Sequence, residues 1–113
     1  MNRSLRIAAF VTALMVPMAP AVSATLANGN GQSCGDEIGT WHFVNNQTGG
    51  AAAGTLTATF SGGQVVTANA SKVLPSVQHF YVTASGTLET ASTGDLPGRL
   101  VLSDFSCDEG KKK

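Results

Sequence analysis

The reactive chemistry in this 113-residue chain rests on two histidines, two cysteines and seven carboxylates. His42 lies in Trp41-His42-Phe43 and His79 opens His79-Phe80-Tyr81, so both sit among aromatics in β-favouring runs. Imidazole suits copper or zinc, and the two rings would converge if their strands were neighbours. Two nitrogens are too few for a closed site, and no third histidine or carboxylate stands at a ligand-like spacing. His42 also alternates with the apolar Trp41 and Phe43, which turns it toward solvent. The expectation is therefore no metal and no cofactor, with His42 and His79 the nearest to candidate ligands.

Cys34 and Cys107 are the chain's two cysteines, and they lack the C-x-x-C spacing of a redox or metal pair. In an oxidising compartment such a pair bridges. A loop this long lowers unfolded-chain entropy by roughly 4 kcal/mol in the chain-entropy picture. Acidic residues gather at both ends of the expected bridge: Asp36 and Glu37 after Cys34, and Asp104, Asp108 and Glu109 around Cys107. Several hard oxygens together suit calcium, but no loop of regularly spaced carboxylates is present, so these read as solvated end residues.

Catalytic motifs are missing: there is no G-x-S-x-G elbow, H-E-x-x-H pair or P-loop. The chain is expected to be non-enzymatic, with no catalytic residues and a binding site that the residues alone do not locate.

The elements that must position these side chains are strands. Six runs of β-favouring residues, Ile38 to Val44, Gly54 to Phe60, Gln64 to Ala68, Val77 to Thr83, Thr87 to Ser92 and Arg99 to Phe105, are separated by Gly, Asn, Ser or Pro. In the second run Leu56, Ala58 and Phe60 alternate with Thr55, Thr57 and Thr59, giving a half-buried strand with one wet, hydroxyl-rich face. In the fourth, Phe80 and Val82 share one face, while Val77, His79 and Tyr81 share the other. Helical spacing of apolar residues is not sustained after residue 24. Short strands at this spacing predict an all-β fold, a single small antiparallel β-sandwich of about six strands, immunoglobulin-like or transthyretin-like. Alternation and size select Trp41, Phe43, Leu56, Phe60, Val66, Phe80, Val82, Leu100 and Leu102 for its core.

The N-terminus combines Arg3 and Arg6, an apolar run from Ile7 to Met18, Pro17 and Pro20, and the small residues Ala21-Val22-Ser23-Ala24. This is the layout of a cleavable secretory signal over residues 1–24. The apolar run is too short to span a bilayer, so no stable membrane anchor is expected. The rest divides into a flexible leader at 25–37, the sandwich at 38–107 and a charged disordered tail at 108–113. Without the signal, five basic residues face seven acidic ones, and three of the five are the terminal lysines. Such a surface lacks the basic face that nucleic acid requires.

The run Trp41-His42-Phe43-Val44-Asn45-Asn46-Gln47, followed by Gly54-Thr55-Leu56-Thr57-Ala58-Thr59-Phe60 and closed by Gly98-Arg99-Leu100-Val101-Leu102-Ser103-Asp104-Phe105-Ser106-Cys107, resembles small disulfide-closed β-sandwich modules of secreted bacterial surface proteins. The resemblance covers residues 34–107 and implies a fold and a secreted, extracellular or periplasmic, location, with no function attached. The functional expectation is a secreted, non-catalytic module that binds an extracellular protein or glycan. A structural subunit of a surface layer or fibre, and a small secreted metal-binding protein or enzyme, are the other classes considered.

Overall fold

The computed structural model describes residues 23–108. Two four-stranded antiparallel sheets pack face to face, as the alternation predicts. One holds β1 (Ala24–Thr25), β7 (Leu88–Thr93), β3 (Thr55–Phe60) and β4 (Gln64–Asn69), in the order β1-β7-β3-β4. The other holds β5 (Lys72–Val73), β6 (Val77–Ala84), β2 (Ile38–Asn46) and β8 (Arg99–Asp108), in the order β5-β6-β2-β8. We refer to them as the threonine sheet and the histidine sheet. The six expected strands are the six long ones; β1 and β5 are two-residue additions at opposite edges.

Between the sheets lie Trp41, Phe43, Leu56, Phe60, Phe80, Val82, Leu100 and Leu102, all buried, with Val66 packed against them from edge strand β4. Leu88 and Leu96 complete this core. Trp41 meets Phe60 edge-on at 4.9 Å and Phe105 flat at 4.5 Å, and its Nε1–H donates to the Ala84 carbonyl at 3.0 Å. The indole thus joins the two sheets and also satisfies its one polar atom.

Phe105 reaches this position because the β2–β8 ladder shifts register between His42 and Phe43: Phe43 faces Leu102, but His42 faces Asp104. Ser103 is the extra residue of a β-bulge. The bulge changes the phase of alternation, so Leu100 and Leu102 before it and Phe105 and Cys107 after it all turn inward.

At one end of the sandwich the inward positions are polar. Asn45 and Gln78 lie opposite each other across β2 and β6, both fully buried. Gln78 accepts from the Gly54 N–H at 2.9 Å and donates to the Ala51 and Ala52 carbonyls at 3.1 and 3.0 Å. Asn45 donates to the Pro97 carbonyl at 2.9 Å and accepts from the Thr93 hydroxyl. These amides take the place of main-chain partners that the two end loops lack, so the burial leaves them satisfied.

Residues 25–37, expected as a flexible leader, are instead hydrogen-bonded to both sheets. Leu26 and Ala27 donate to Ala91 and Leu100, and Gly31 donates to Leu88, each at 2.8 Å. The Asn28 side chain accepts from the Leu102 N–H at 2.9 Å. The Gly and Asn content that suggests flexibility serves close approach: at Gly29 (φ 92°) a Cβ would stand 2.6 Å from the Leu102 side chain. The segment read as a signal lies outside the described residues except for Ser23 and Ala24. The expected tail lies outside them too, apart from the backbone of Asp108.

Cys34 and Cys107 are bridged, with Cα atoms 5.3 Å apart. Gly39, opposite Cys107 and facing inward, makes room for the bridge, since a Cβ there would stand 2.4 Å from the Cys34 sulfur and 3.0 Å from the indole nitrogen of Trp41. Gly39→Ala is expected to lower stability by about 1–3 kcal/mol, the usual cost of overpacking a filled site, as measured by urea denaturation of the oxidised protein.

Candidate functional site

The outer face of the histidine sheet gathers the chain's imidazoles. On β6 the carbonyls of Val77 and His79 accept from Leu74 and Ser71, both at 2.8 Å, so the odd-numbered residues of this strand direct their backbone groups away from β2. His42 and Tyr81, opposite each other in the β2–β6 ladder, therefore form a non-hydrogen-bonded pair. Side chains stand closest in such pairs. Their rings stack at 4.3 Å with planes 5° apart.

His79 sits diagonally from His42, opposite Val44. Nε2 of His42 and Nδ1 of His79 are 2.9 Å apart, while the ring centroids are 5.1 Å apart with planes 17° from parallel. A centroid separation that long, with the nitrogens that close, places both nitrogens nearly on the line joining the ring centres. The two imidazoles therefore lie edge to edge, joined by one N–H···N bond. On the other side of His42, Nδ1 is 3.7 Å from Oδ1 of Asp104. The bulge puts that carboxylate there, and it is well exposed.

The result is a row across three strands, with Asp104 on β8, His42 on β2, and His79 and Tyr81 on β6. Both histidines face outward, and β2 and β6 are neighbours, so the condition for their convergence is met. Among the described residues no group of three or more His, Cys, Asp or Glu side chains gathers in the manner of a closed metal site. Of the carboxylates flanking the disulfide, Asp36 and Glu37 are exposed in the turn after Cys34, Asp104 stands 3.7 Å from His42, and the Asp108 side chain and Glu109 lie outside the described residues.

Tyr81 is 49% exposed, with one face of its ring covered by His42. Because β5 pairs only with Gln78 and His79, β6 has an unpaired edge from Phe80 onward. There the N–H and C=O groups of Tyr81 and Thr83 point away from β2 and find no partner among the described residues. The sequence indicated no binding residues, and this edge was not visible in it.

The second wet surface is the outer face of the threonine sheet. Thr57 faces Thr67 and Ser92, and Thr59 faces Val65 and Thr90. Thr55 bonds to the Asn69 side chain at 3.3 Å. This face is flat and rich in hydroxyls but carries no ring or ionised group within the rows named.

Comparison of the chain with family models, with curated proteins and with solved structures gives no match in any of the three.

His42 is held below the usual histidine value of 6.5, first by burial and then by His79, with Asp104 opposing. A folded-state value below the unfolded one means that the native state resists the proton. Stability is therefore full above pH 6.5 and declines as pH falls through the folded-state value of His42. The expected result is a lower urea midpoint at pH 5 than at pH 7.5, a difference that His42→Gln reduces. Asp104→Asn should lower the imidazole titration of His42 further, as followed by NMR.

Proposed function

We propose that this chain is an exported, non-catalytic binding module that captures an extended segment of an extracellular protein along the open edge of β6. The observation that carries this reading is the unpaired backbone of Tyr81 and Thr83. An edge of this kind is a template for an added strand, with main-chain bonds giving affinity and neighbouring side chains giving selectivity. Tyr81, half exposed beside that edge, supplies an apolar surface for alternate side chains of the incoming segment. Export is supported by the Cys34–Cys107 bridge, which suits an oxidising compartment, and by the layout of residues 1–24.

Glycan binding is the second reading, favoured by the free face of the Tyr81 ring, against which the apolar face of a sugar can stack. The two readings separate at different atoms. Strand addition uses the Thr83 N–H, and stacking uses the Tyr81 ring.

Thr83→Pro removes the outward N–H without removing a bond to β2, a substitution that edge strands tolerate. Its melting temperature is expected to stay within a few degrees of the parent. Against a displayed library of extended peptides, the parent should yield binders that protect the Tyr81 and Thr83 amides from hydrogen exchange, and Thr83→Pro should lose them. Binders lost in Tyr81→Ala but retained in Thr83→Pro would favour the glycan reading once repeated with oligosaccharides. Concentration-dependent self-association that Thr83→Pro abolishes would place a second copy on the edge, as in a structural subunit.

A further inference from the structure

The edge-to-edge contact of His42 and His79 has a geometry that hydrogen bonding alone does not require. Metal–imidazole bonds are about 2.0–2.1 Å long, so two nitrogens on adjacent corners of a square-planar or tetrahedral ion lie about 2.9–3.4 Å apart. Nε2 of His42 and Nδ1 of His79 are already 2.9 Å apart, held there by two adjacent strands in fixed register. Tilting the rings so that both lone pairs meet at one point asks for side-chain motion only. The other nitrogen of His42 stands 3.7 Å from Oδ1 of Asp104, just beyond hydrogen-bond reach, so a small shift of this exposed carboxylate completes the carboxylate–imidazole arrangement that orients ligating histidines. Lys72 stands opposite His79 in the β5–β6 ladder and Asp104 beside His42, so among the described residues a cation and a carboxylate flank the row at its two ends.

We propose that His42 and His79 are the two protein ligands of an open surface site for a single borderline transition-metal ion, with Cu(II) preferred. The ion takes the place of the hydrogen between the two rings, the ring that donated it carries its proton on its other nitrogen instead by exchange with solvent, and Asp104 acts as a positioning residue through His42. Water, or a donor from a bound molecule, fills the remaining corners. Imidazole pairs favour copper over zinc at equal geometry by the ordinary order of divalent affinities. The site uses different atoms from the β6 edge and stands without the strand-addition reading.

The test adds Cu(II) to the oxidised full chain, in a non-coordinating buffer at pH 7.5. Up to one equivalent of copper should broaden the NMR signals of His42, His79 and Tyr81 before any others. The frozen-solution electron paramagnetic resonance spectrum should show hyperfine structure from two imidazole nitrogens. His79→Gln, at a half-exposed position, should weaken binding by more than tenfold and remove one of those nitrogens, while Asp104→Asn weakens it by about tenfold, the low end for an outer partner. Broadening centred on the chain's N-terminus, or an unchanged affinity and spectrum in His79→Gln with a native far-ultraviolet spectrum, would overturn the proposal. The broadening pattern of the parent protein decides the matter even if a variant fails to fold.

Discussion

Trp41 holds the rest of the molecule in place. Its ring is clamped between Phe60 of one sheet and Phe105 of the other, and its nitrogen is tied to the Ala84 carbonyl. A small sandwich has too little apolar area to be stable on burial alone, so one large side chain that touches three strands has a disproportionate effect. The disulfide packs beside it, in space that Gly39 leaves vacant. Aromatic clamp and covalent bridge therefore stabilise the same end of the sandwich, while the buried amides of Asn45 and Gln78 organise the other.

The outer face of the histidine sheet follows from this clamp. For Phe105 to lie flat on Trp41 while Leu100 and Leu102 also point inward, strand β8 must gain a residue, and the bulge at Ser103 provides it. The same insertion brings the Asp104 carboxylate next to His42. A packing demand inside the sandwich thus sets the charge environment of an imidazole outside it. This coupling explains why the acidic residue nearest the histidines in space belongs to the group that the sequence associates with the disulfide.

Much of the architecture was legible because alternation is a local property. The inward and outward sets on β2, β3 and β6, the core aromatics and the cysteine pair could all be read from residue types and spacing. What stayed hidden depended on long-range partners. Two-residue strands such as β1 and β5 have no period to detect. The Asn- and Gly-rich stretch before β2 looks unstructured until its hydrogen-bond partners on β7 and β8 are known. Leu96 sits in a loop, where alternation offers no guide to burial. His42 and His79 were visible as outward-facing rings, but their contact depends on which strands are neighbours and in which register.

The position of β2 in its sheet also governs when the molecule can fold. Both of its neighbours, β6 and β8, come later in the chain, and β8 ends at Asp108. A ribosome releasing the chain from its N-terminus leaves β2 without a lasting partner until residues 77–84 emerge, and without its second until residues 99–108 follow. Long-range pairings of this kind form slowly and late. The histidine sheet therefore assembles only after β8 has emerged, and closure of Cys34 onto Cys107 waits for the same strand.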